Sequence, residues 1–302
     1  MTEKPRRPLA RTYILVLVTL LFWGSAFAVV RFGLASPAHP HGFHPGAMAL
    51  LRFLVAALVA LAYLLITKKG LPQKRDLPRI ICAGLAGITL YHLLFNFGEQ
   101  AVPSGASAVL IGFSPIFVAI FSTIFLRERL TLWGWLGILC SLAGVVLVGM
   151  STVTGFKLDI HALALLGSAL ATATLLVISK SLLGRYSGIQ LTSYTIIAGV
   201  IPLLVFFPQL MGDFQVASAQ ATSAVVYLGI FPGFLAYALW NVVLSRFAAS
   251  MVSVFLNTTP LVAAAIAWAW LGEVPGSMVI IGGIIAIAGV LVVQLWGSPP
   301  KK

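Results

Sequence analysis

Three polar side chains share one face of a strongly apolar segment. His92, Asn96 and Glu99 are spaced by four and three residues, which places them on one side of a helix, with Tyr91 and Phe95 beside them. Polar groups are costly in contact with hydrocarbon, so this face should point to protein or to a watery cavity. The pattern favours the lining of a ligand path, although Asn and His also form hydrogen bonds between neighbouring helices in membranes.

The same region of sequence returns 145 residues later (273 − 128 = 145). This offset carries Asn96 to Asn241 and Pro115 to Pro260. Other pairs that match at the same offset are Leu126 and Leu271, Glu128 and Glu273, Gly137 and Gly282, Ala143 and Ala288, and Gly144-Val145 and Gly289-Val290. One constant offset with so long a period indicates duplicated halves rather than small stacked repeats.

The chain is too apolar to be a protein of aqueous solution. Of its 302 residues 60% are hydrophobic and 9% are charged, and the mean hydropathy is +1.05, whereas soluble domains carry about 25% charge. The composition therefore indicates an integral membrane protein. The net charge of +12 is spread in short basic clusters between apolar runs, as topology signals are, and we expect no nucleic-acid partner.

Ten apolar runs are each close to the roughly 20 residues that cross a hydrocarbon core of about 30 Å. They cover approximately residues 13–34, 46–67, 79–99, 103–125, 131–150, 160–181, 190–211, 220–244, 249–271 and 276–296. Ala26-Phe27-Ala28 gives the first run the look of a secretory signal, but the run is longer than the apolar part of such a signal. We therefore expect an all-α integral membrane protein with ten transmembrane helices.

Lysine and arginine gather on one side of the predicted membrane. They occupy the N-terminus, the even-numbered links and the tail, whereas the opposite links hold only Lys157. This bias predicts that both termini are cytoplasmic, in a bacterial inner membrane. The halves 1–150 and 151–302 each have five spans, an odd number, so the second half enters from the opposite side. Two inverted five-helix repeats around a central cavity are typical of secondary transporters.

Several short motifs resemble a known family. They are Trp23-Gly24-Ser25-Ala26-Phe27, Arg52-Phe53, Ser114-Pro115 followed by Arg127-Glu128-Arg129, and Thr259-Pro260 followed by Gly272-Glu273. Together they resemble the EamA type of the drug/metabolite transporter (DMT) superfamily over essentially the whole chain. The resemblance implies ten helices in two inverted repeats and a cavity lined mainly by spans 1, 3, 4, 6, 8 and 9. It also implies export of amino acids or related small metabolites, without fixing the substrate.

Aromatic side chains occur in the spans expected to line the cavity. They lie away from the interfaces where Trp and Tyr usually concentrate, so they could stack on an aromatic or cationic ligand, or fill the core. The predicted substrate-binding residues are Trp23, Tyr91, His92, Phe95, Asn96, Glu99, Tyr237, Trp240 and Asn241. We expect aromatic or bulky apolar amino acids as substrates, with drugs or other metabolites as the alternative.

Three charged residues fall at a similar depth near the predicted outer side, namely Arg31, Arg52 and Glu99. A zwitterionic amino acid needs a cation for its carboxylate, and arginine suits this role through bidentate geometry. The alternative is a structural Arg52–Glu99 ion pair, with Arg31 extending to the interface. Glu99 is also the candidate for a coupled proton if it faces the cavity.

Pro115 and Pro260 lie near the middle of spans 4 and 9. Each removes an N–H and clashes with the carbonyl four residues back, at Ile111 and Leu256. A symmetric pair of disruptions predicts hinges, and the alternative is a static kink for packing.

Other functional classes lack their motifs. The sequence has no H-E-x-x-H, G-x-S-x-G or Walker A pattern, so we expect neither an intramembrane enzyme nor ATP hydrolysis, and no cofactor. His39, His41 and His44 could bind zinc or copper, but the intervening prolines and glycine are typical of a turn, and no metal site is expected. Glu128 follows the end of a span and is either a gate residue or an interfacial anchor.

Overall fold

The chain forms a bundle of α-helices. The computed structural model describes residues 8–35, 40–102, 104–150, 160–271 and 276–297. Within these ranges the backbone forms no β-strand, only an isolated bridge between Leu34 and Phe43. The predicted all-α class is confirmed.

The helices follow one another with short links. They are α1 (Pro8–Gly33), α2 (Pro45–Ile66), α3 (Leu77–Gly84), α4 (Tyr91–Glu99), α5 (Ser104–Ile111), α6 (Ser114–Phe121), α7 (Leu132–Met150), α8 (Ile160–Leu182), α9 (Gly188–Leu203), α10 (Phe207–Val216), α11 (Ala219–Leu228), α12 (Ala236–Leu244), α13 (Ala249–Ser253), α14 (Thr259–Leu271) and α15 (Ser277–Trp296). Three pairs of consecutive helices are each joined into one longer helical rod. A π-helical turn at Leu85–Leu90 joins α3 to α4, another at Gly229–Leu235 joins α11 to α12, and a 3₁₀ turn at Val254–Thr258 joins α13 to α14.

Eight helical stretches of the described chain are long and apolar enough to cross a membrane. They are Pro45–Ile66, Lys74–Glu99, Val109–Leu126, Ile160–Leu182, Gly188–Val216, Ala219–Leu244, Ala249–Ile266 and Ser277–Trp296. Two further apolar stretches, Thr12–Ala26 and Leu132–Leu147, are shorter. Large apolar side chains such as Leu58, Ile66 and Ile284 are exposed on the outside of the bundle, as a lipid-facing surface requires. The protein is a multi-pass membrane protein.

The repeat in the sequence recurs in the local structure. The first residues of α5, α6 and α7 return 145 residues later as the first residues of α13, α14 and α15, and α4 returns at both its ends as α12. Two of the three π-helical turns of the described chain, Leu85–Leu90 and Gly229–Leu235, also align to within one residue at this offset. The third, Ser122–Leu126, corresponds to ordinary α-helix at the end of α14, so this departure from α-helical geometry is not repeated.

Glycines bring α7 and α15 into backbone contact. A Cβ on Gly144 would lie 2.5 Å from the Gly282 carbonyl oxygen, and one on Gly289 would lie 2.6 Å from the Gly137 carbonyl oxygen. Only glycine permits such close approach of two helix backbones. Gly137 meets Gly289 whereas Gly144 meets Gly282, so the two helices run antiparallel.

Gly144→Leu is expected to destabilise the protein because its side chain must push α7 and α15 apart. Overpacking typically costs about 1–3 kcal/mol, and a clash with backbone places this change at the upper end. The midpoint of thermal unfolding of the purified protein in detergent measures the effect. Ala143→Leu is the control, since Ala143 is exposed on the same helix. Equal midpoints for the two variants would contradict the packing account.

Candidate functional site

The helices surround a partly open cavity of about 100 Å³. This is far more than the roughly 10–15 Å³ that one water molecule needs. Its walls come from α1, α2, the π-helical turn before α4, α4, the α5–α6 junction, α8, α12 and the α13–α14 junction. These are the spans that the family resemblance implies, with α2 added through Arg52.

Aromatic rings form much of the cavity wall. The Trp23 ring centroid lies 5.5 Å from that of Tyr237 and 5.1 Å from that of Trp240. On α4 the rings of Tyr91 and Phe95 are parallel, with centroids 5.8 Å apart. All five side chains line the cavity. The structure thus brings together aromatic residues from α1, α4 and α12 that are far apart in sequence.

His92 lies at the centre of this aromatic group. Its Nε2 is 3.3 Å from the Tyr237 hydroxyl oxygen, and its ring centroid lies 4.5 Å from that of Phe53 and 4.7 Å from that of Tyr91. The other ring nitrogen, Nδ1, is buried without a hydrogen-bond partner. His92 therefore has one nitrogen held by the protein and one unoccupied.

Arg52 places a cation at the cavity. Its side chain is buried, with 4% of the residue exposed, and its Cζ lies 5.6 Å from the centroid of the Phe53 ring. The ion pairs formed by the described residues do not include Arg52, so the Arg52–Glu99 pair considered from the sequence is absent there. Its Nε has no hydrogen-bond partner. The side chain of Arg31 lies outside the described residues.

Asn257 adds a neutral polar group. It lies in the 3₁₀ turn before α14, lines the cavity and is 1% exposed, and neither its Oδ1 nor its Nδ2 has a hydrogen-bond partner. The Leu256 carbonyl, which Pro260 leaves free, accepts from the Thr259 backbone N–H rather than from Asn257. The Asn257 amide is therefore available to a ligand.

Three predicted site residues lie outside the cavity lining. Asn96 Nδ2 donates to the Pro45 carbonyl oxygen at 3.0 Å, and Asn241 Nδ2 donates to Thr192 Oγ1 at 2.8 Å. Both are hydrogen bonds between helices, which was the alternative considered from the sequence. Glu99 ends α4 and also lies outside the lining.

The two prolines follow breaks in the helices. α5 ends at Ile111, and α6 begins at Ser114 with Pro115 in its first turn; the Ser114 hydroxyl donates to the Ile111 carbonyl at 2.6 Å. Pro260 likewise falls in the first turn of α14, directly after the 3₁₀ turn. Both junctions contact the cavity, one through Ser114 and the other through Pro260. Whether they act as hinges stays a prediction.

A clamp made by Glu128 and Lys180 holds the start of α13. Glu128 Oε1 accepts from the Ala249 N–H at 2.8 Å, and Oε2 accepts from the N–H and hydroxyl of Ser250 at 3.1 and 2.7 Å. Lys180 Nζ donates to two carbonyl oxygens at the α12–α13 junction, at 2.7 and 2.5 Å. A carboxylate at a helix N-terminus and a cation on carbonyls match the polarity of backbone dipoles. We call these contacts the α13 clamp.

The first loop between helices is tied to α10. The His44 backbone N–H and Nδ1 lie 2.9 and 2.7 Å from the two carboxylate oxygens of Asp213. His39 lies outside the described residues, and within those residues no three metal-ligating side chains come together.

The sequence analysis missed four polar residues of the cavity wall as site residues, namely Ser114, Thr172, Asn257 and Thr259. Asn257 adjoins the Thr259-Pro260 motif, and this position beside a helix break is a signal that could have found it. Thr172 of α8 also lines the cavity, but it lies among other small and hydroxyl residues that mostly face neighbouring helices. No pattern in the sequence distinguishes it.

A cavity with aromatic walls inside a multi-pass helical bundle is the arrangement of a membrane transport protein. Residues 10–150 and 160–295 each match the EamA-like transporter family, and the chain belongs to this family. The resemblance noted from the sequence motifs is confirmed.

Individual relatives agree with this assignment. The chain is 34% identical to an uncharacterized transporter, YdfC, of Bacillus subtilis over 89% of this chain and 86% of that protein. It is 32% identical to a probable terminal-alkyne amino-acid exporter of Streptantibioticus cattleyicolor over 92% of each. A crystal structure with 19% identity matches with a TM-score of 0.76 over 94% of this chain and 98% of that chain, which shows a shared fold.

Proposed function

We propose that this protein exports amino acids with aromatic or bulky apolar side chains, or closely related small metabolites, by alternating access. The observation that carries the proposal is the cavity itself, in which aromatic walls surround a buried cation, Arg52. An amino acid with an apolar side chain carries a carboxylate that matches the cation and an apolar group that matches the aromatic walls. The relative named as a probable amino-acid exporter supports the same class. The chain acts as a secondary transporter rather than an enzyme, in a bacterial inner membrane with both termini cytoplasmic.

The halves 1–150 and 151–302 are proposed to be inverted five-helix repeats, giving ten membrane helices. Two residues contact their own counterparts at the 145-residue offset: His92 meets Tyr237, and Cys140 Sγ lies 3.7 Å from the Ile285 carbonyl oxygen. A residue meets its counterpart only close to a two-fold axis. The antiparallel packing of α7 and α15, which are counterparts, supports the same inversion. An axis at His92 and Tyr237 passes through the cavity, as alternating access requires.

The α13 clamp is proposed to hold the cytoplasmic side closed. It joins Glu128 of the first half to α13 of the second, and Arg127, Arg129 and Arg246 beside it mark this side as cytoplasmic by the distribution of basic residues. An exporter loads substrate from the cytoplasm, so these contacts must break in each cycle.

Glu128→Gln is expected to loosen the clamp. Hydrogen bonds to a charged group are worth about 1.5–3 kcal/mol, and the amide keeps only part of this, so amide hydrogens of α13 should exchange about tenfold faster. Hydrogen-exchange mass spectrometry on the purified protein measures this. Arg129→Gln is the control, because its side chain is exposed in the same link. An unchanged rate of amide exchange in α13 would contradict the proposed role of the α13 clamp.

Counterflow in proteoliposomes tests the proposed substrate class. Vesicles that contain purified protein and an excess of unlabelled amino acid should accumulate external radiolabelled phenylalanine or leucine with saturable kinetics. Protein-free vesicles are the control, and a pH gradient reveals proton coupling. If no amino acid in a broad panel is exchanged, the amino-acid proposal fails and drugs or other metabolites become the class to test.

A further inference from the structure

The cavity holds a cation that the described part of the protein leaves without an anion. Arg52 is 4% exposed, forms no ion pair among those residues, and has a buried Nε without a hydrogen-bond partner. An unpaired charge within a membrane bundle is costly. Since arginine stays protonated in proteins, its counter-charge has to come from another source.

The groups around Arg52 are neutral hydrogen-bonding side chains. His92, Tyr91 and Tyr237 line the same cavity as Arg52. A Cβ on Gly233, in the π-helical turn, would lie 3.7 Å from Arg52 Nε. Gly233 therefore lies beside the Arg52 side chain.

A second polar position lies in the same cavity. Asn257 has a donor and an acceptor, both buried and both without a partner. Arg52 and Asn257, one cationic and one neutral, therefore face a space with aromatic walls, where His92 Nδ1 and Trp240 Nε1 are also buried without partners. Buried polar atoms are nearly always paired, so these mark the places where ligand groups bind.

We propose that Arg52 binds a carboxylate group of the transported molecule, and that Asn257 binds its second polar group. The inference rests on the proposed function and narrows it, since the transported molecules must carry a free carboxylate. Amines, amides and esters with the same side chain are then excluded, because they leave Arg52 without a counter-charge. Arginine suits this role because its planar group can donate two parallel hydrogen bonds to a carboxylate.

Ligand binding to purified protein tests the inference separately from transport. Thermal stabilisation would be titrated with phenylalanine, leucine, 3-phenylpropionate and phenylalaninamide. Wild type should bind the carboxylates and not the amide. Arg52→Gln should weaken carboxylate binding about 30-fold or more, which is the usual effect of truncating one partner of a buried charge pair, and should lose the preference over the amide. Arg52→Lys should recover part of it, since it keeps the charge without the bidentate geometry.

The outcomes separate the two proposals. Equal binding of phenylalanine and its amide by wild type, or no binding of any carboxylate, overturns the inference even if Arg52→Gln fails to fold. A preference retained in Arg52→Gln overturns the role of this residue. Binding of 3-phenylpropionate without counterflow of any amino acid keeps the carboxylate site and rejects amino-acid export. Arg129→Gln, which changes the charge far from the cavity wall, should bind as wild type does.

Discussion

Thr172→Trp should reduce transport at least about a hundredfold. Thr172 points from α8 into the cavity, and its hydroxyl bonds only to the Ser168 carbonyl of the same helix, at 3.1 Å. An indole at this position occupies the space that the account assigns to the substrate, so binding and passage are both blocked. Counterflow in proteoliposomes, normalised to the amount of inserted protein, measures the loss.

Thr174→Trp is a closely matched control. Thr174 lies two residues along the same helix, is half-buried outside the cavity lining, and makes the same kind of bond, from its hydroxyl to the Leu170 carbonyl at 3.0 Å. The Thr174→Trp variant adds the same side chain away from the cavity and should transport as wild type does. Strong transport by Thr172→Trp, or equal loss in both variants, would mean that this cavity is not the pathway.

Pro260→Ala should slow turnover about tenfold while leaving the substrate concentration for half-maximal rate nearly unchanged. Alanine restores a backbone N–H and removes the ring that clashes with the preceding turn, so α14 can extend backwards through the 3₁₀ turn at Val254–Thr258. A continuous helix lacks the joint at which the second half would bend. The substrate still meets the same cavity wall, so binding is preserved.

The kinetics of counterflow at several substrate concentrations separate these two effects. Pro208→Ala is the control, because Pro208 also lies in the first turn of a helix, α10, outside the cavity lining. Pro115→Ala, at the matching junction of the first half, should slow turnover in the same way. Turnover equal to that of wild type in both junction variants would reduce these prolines to static packing features.

The sequence was sufficient for the features that depend on periodicity. A constant offset predicted the repeat, and the structure carries that offset into several helix starts and into two of the three π-helical turns found in the described residues. The π-helical turn at Gly229–Leu235 was itself not predicted. One extra residue in a helix does not change the residue pattern of a segment that is apolar on all sides.

Assignments that depend on the neighbouring helix could not be made from spacing alone. His92, Asn96 and Glu99 do share a helix face, but that face meets different surroundings at different positions along the helix. His92 lines the cavity, whereas the Asn96 amide donates to the Pro45 carbonyl. Arg52 was ambiguous for the same reason, since depth along a span does not reveal whether a carboxylate faces it. Tertiary packing decides these cases.

The most direct test of alternating access is the accessibility of one cavity position from each side of the membrane. Thr259→Cys, in a background with Cys82 and Cys140 replaced by serine, would be treated with a membrane-impermeant maleimide in right-side-out and inside-out vesicles. The account predicts labelling from both sides, protection by the transported amino acid, and a shift towards cytoplasmic labelling when Glu128→Gln is added. Labelling from one side only, unchanged by substrate and by the clamp variant, would contradict it.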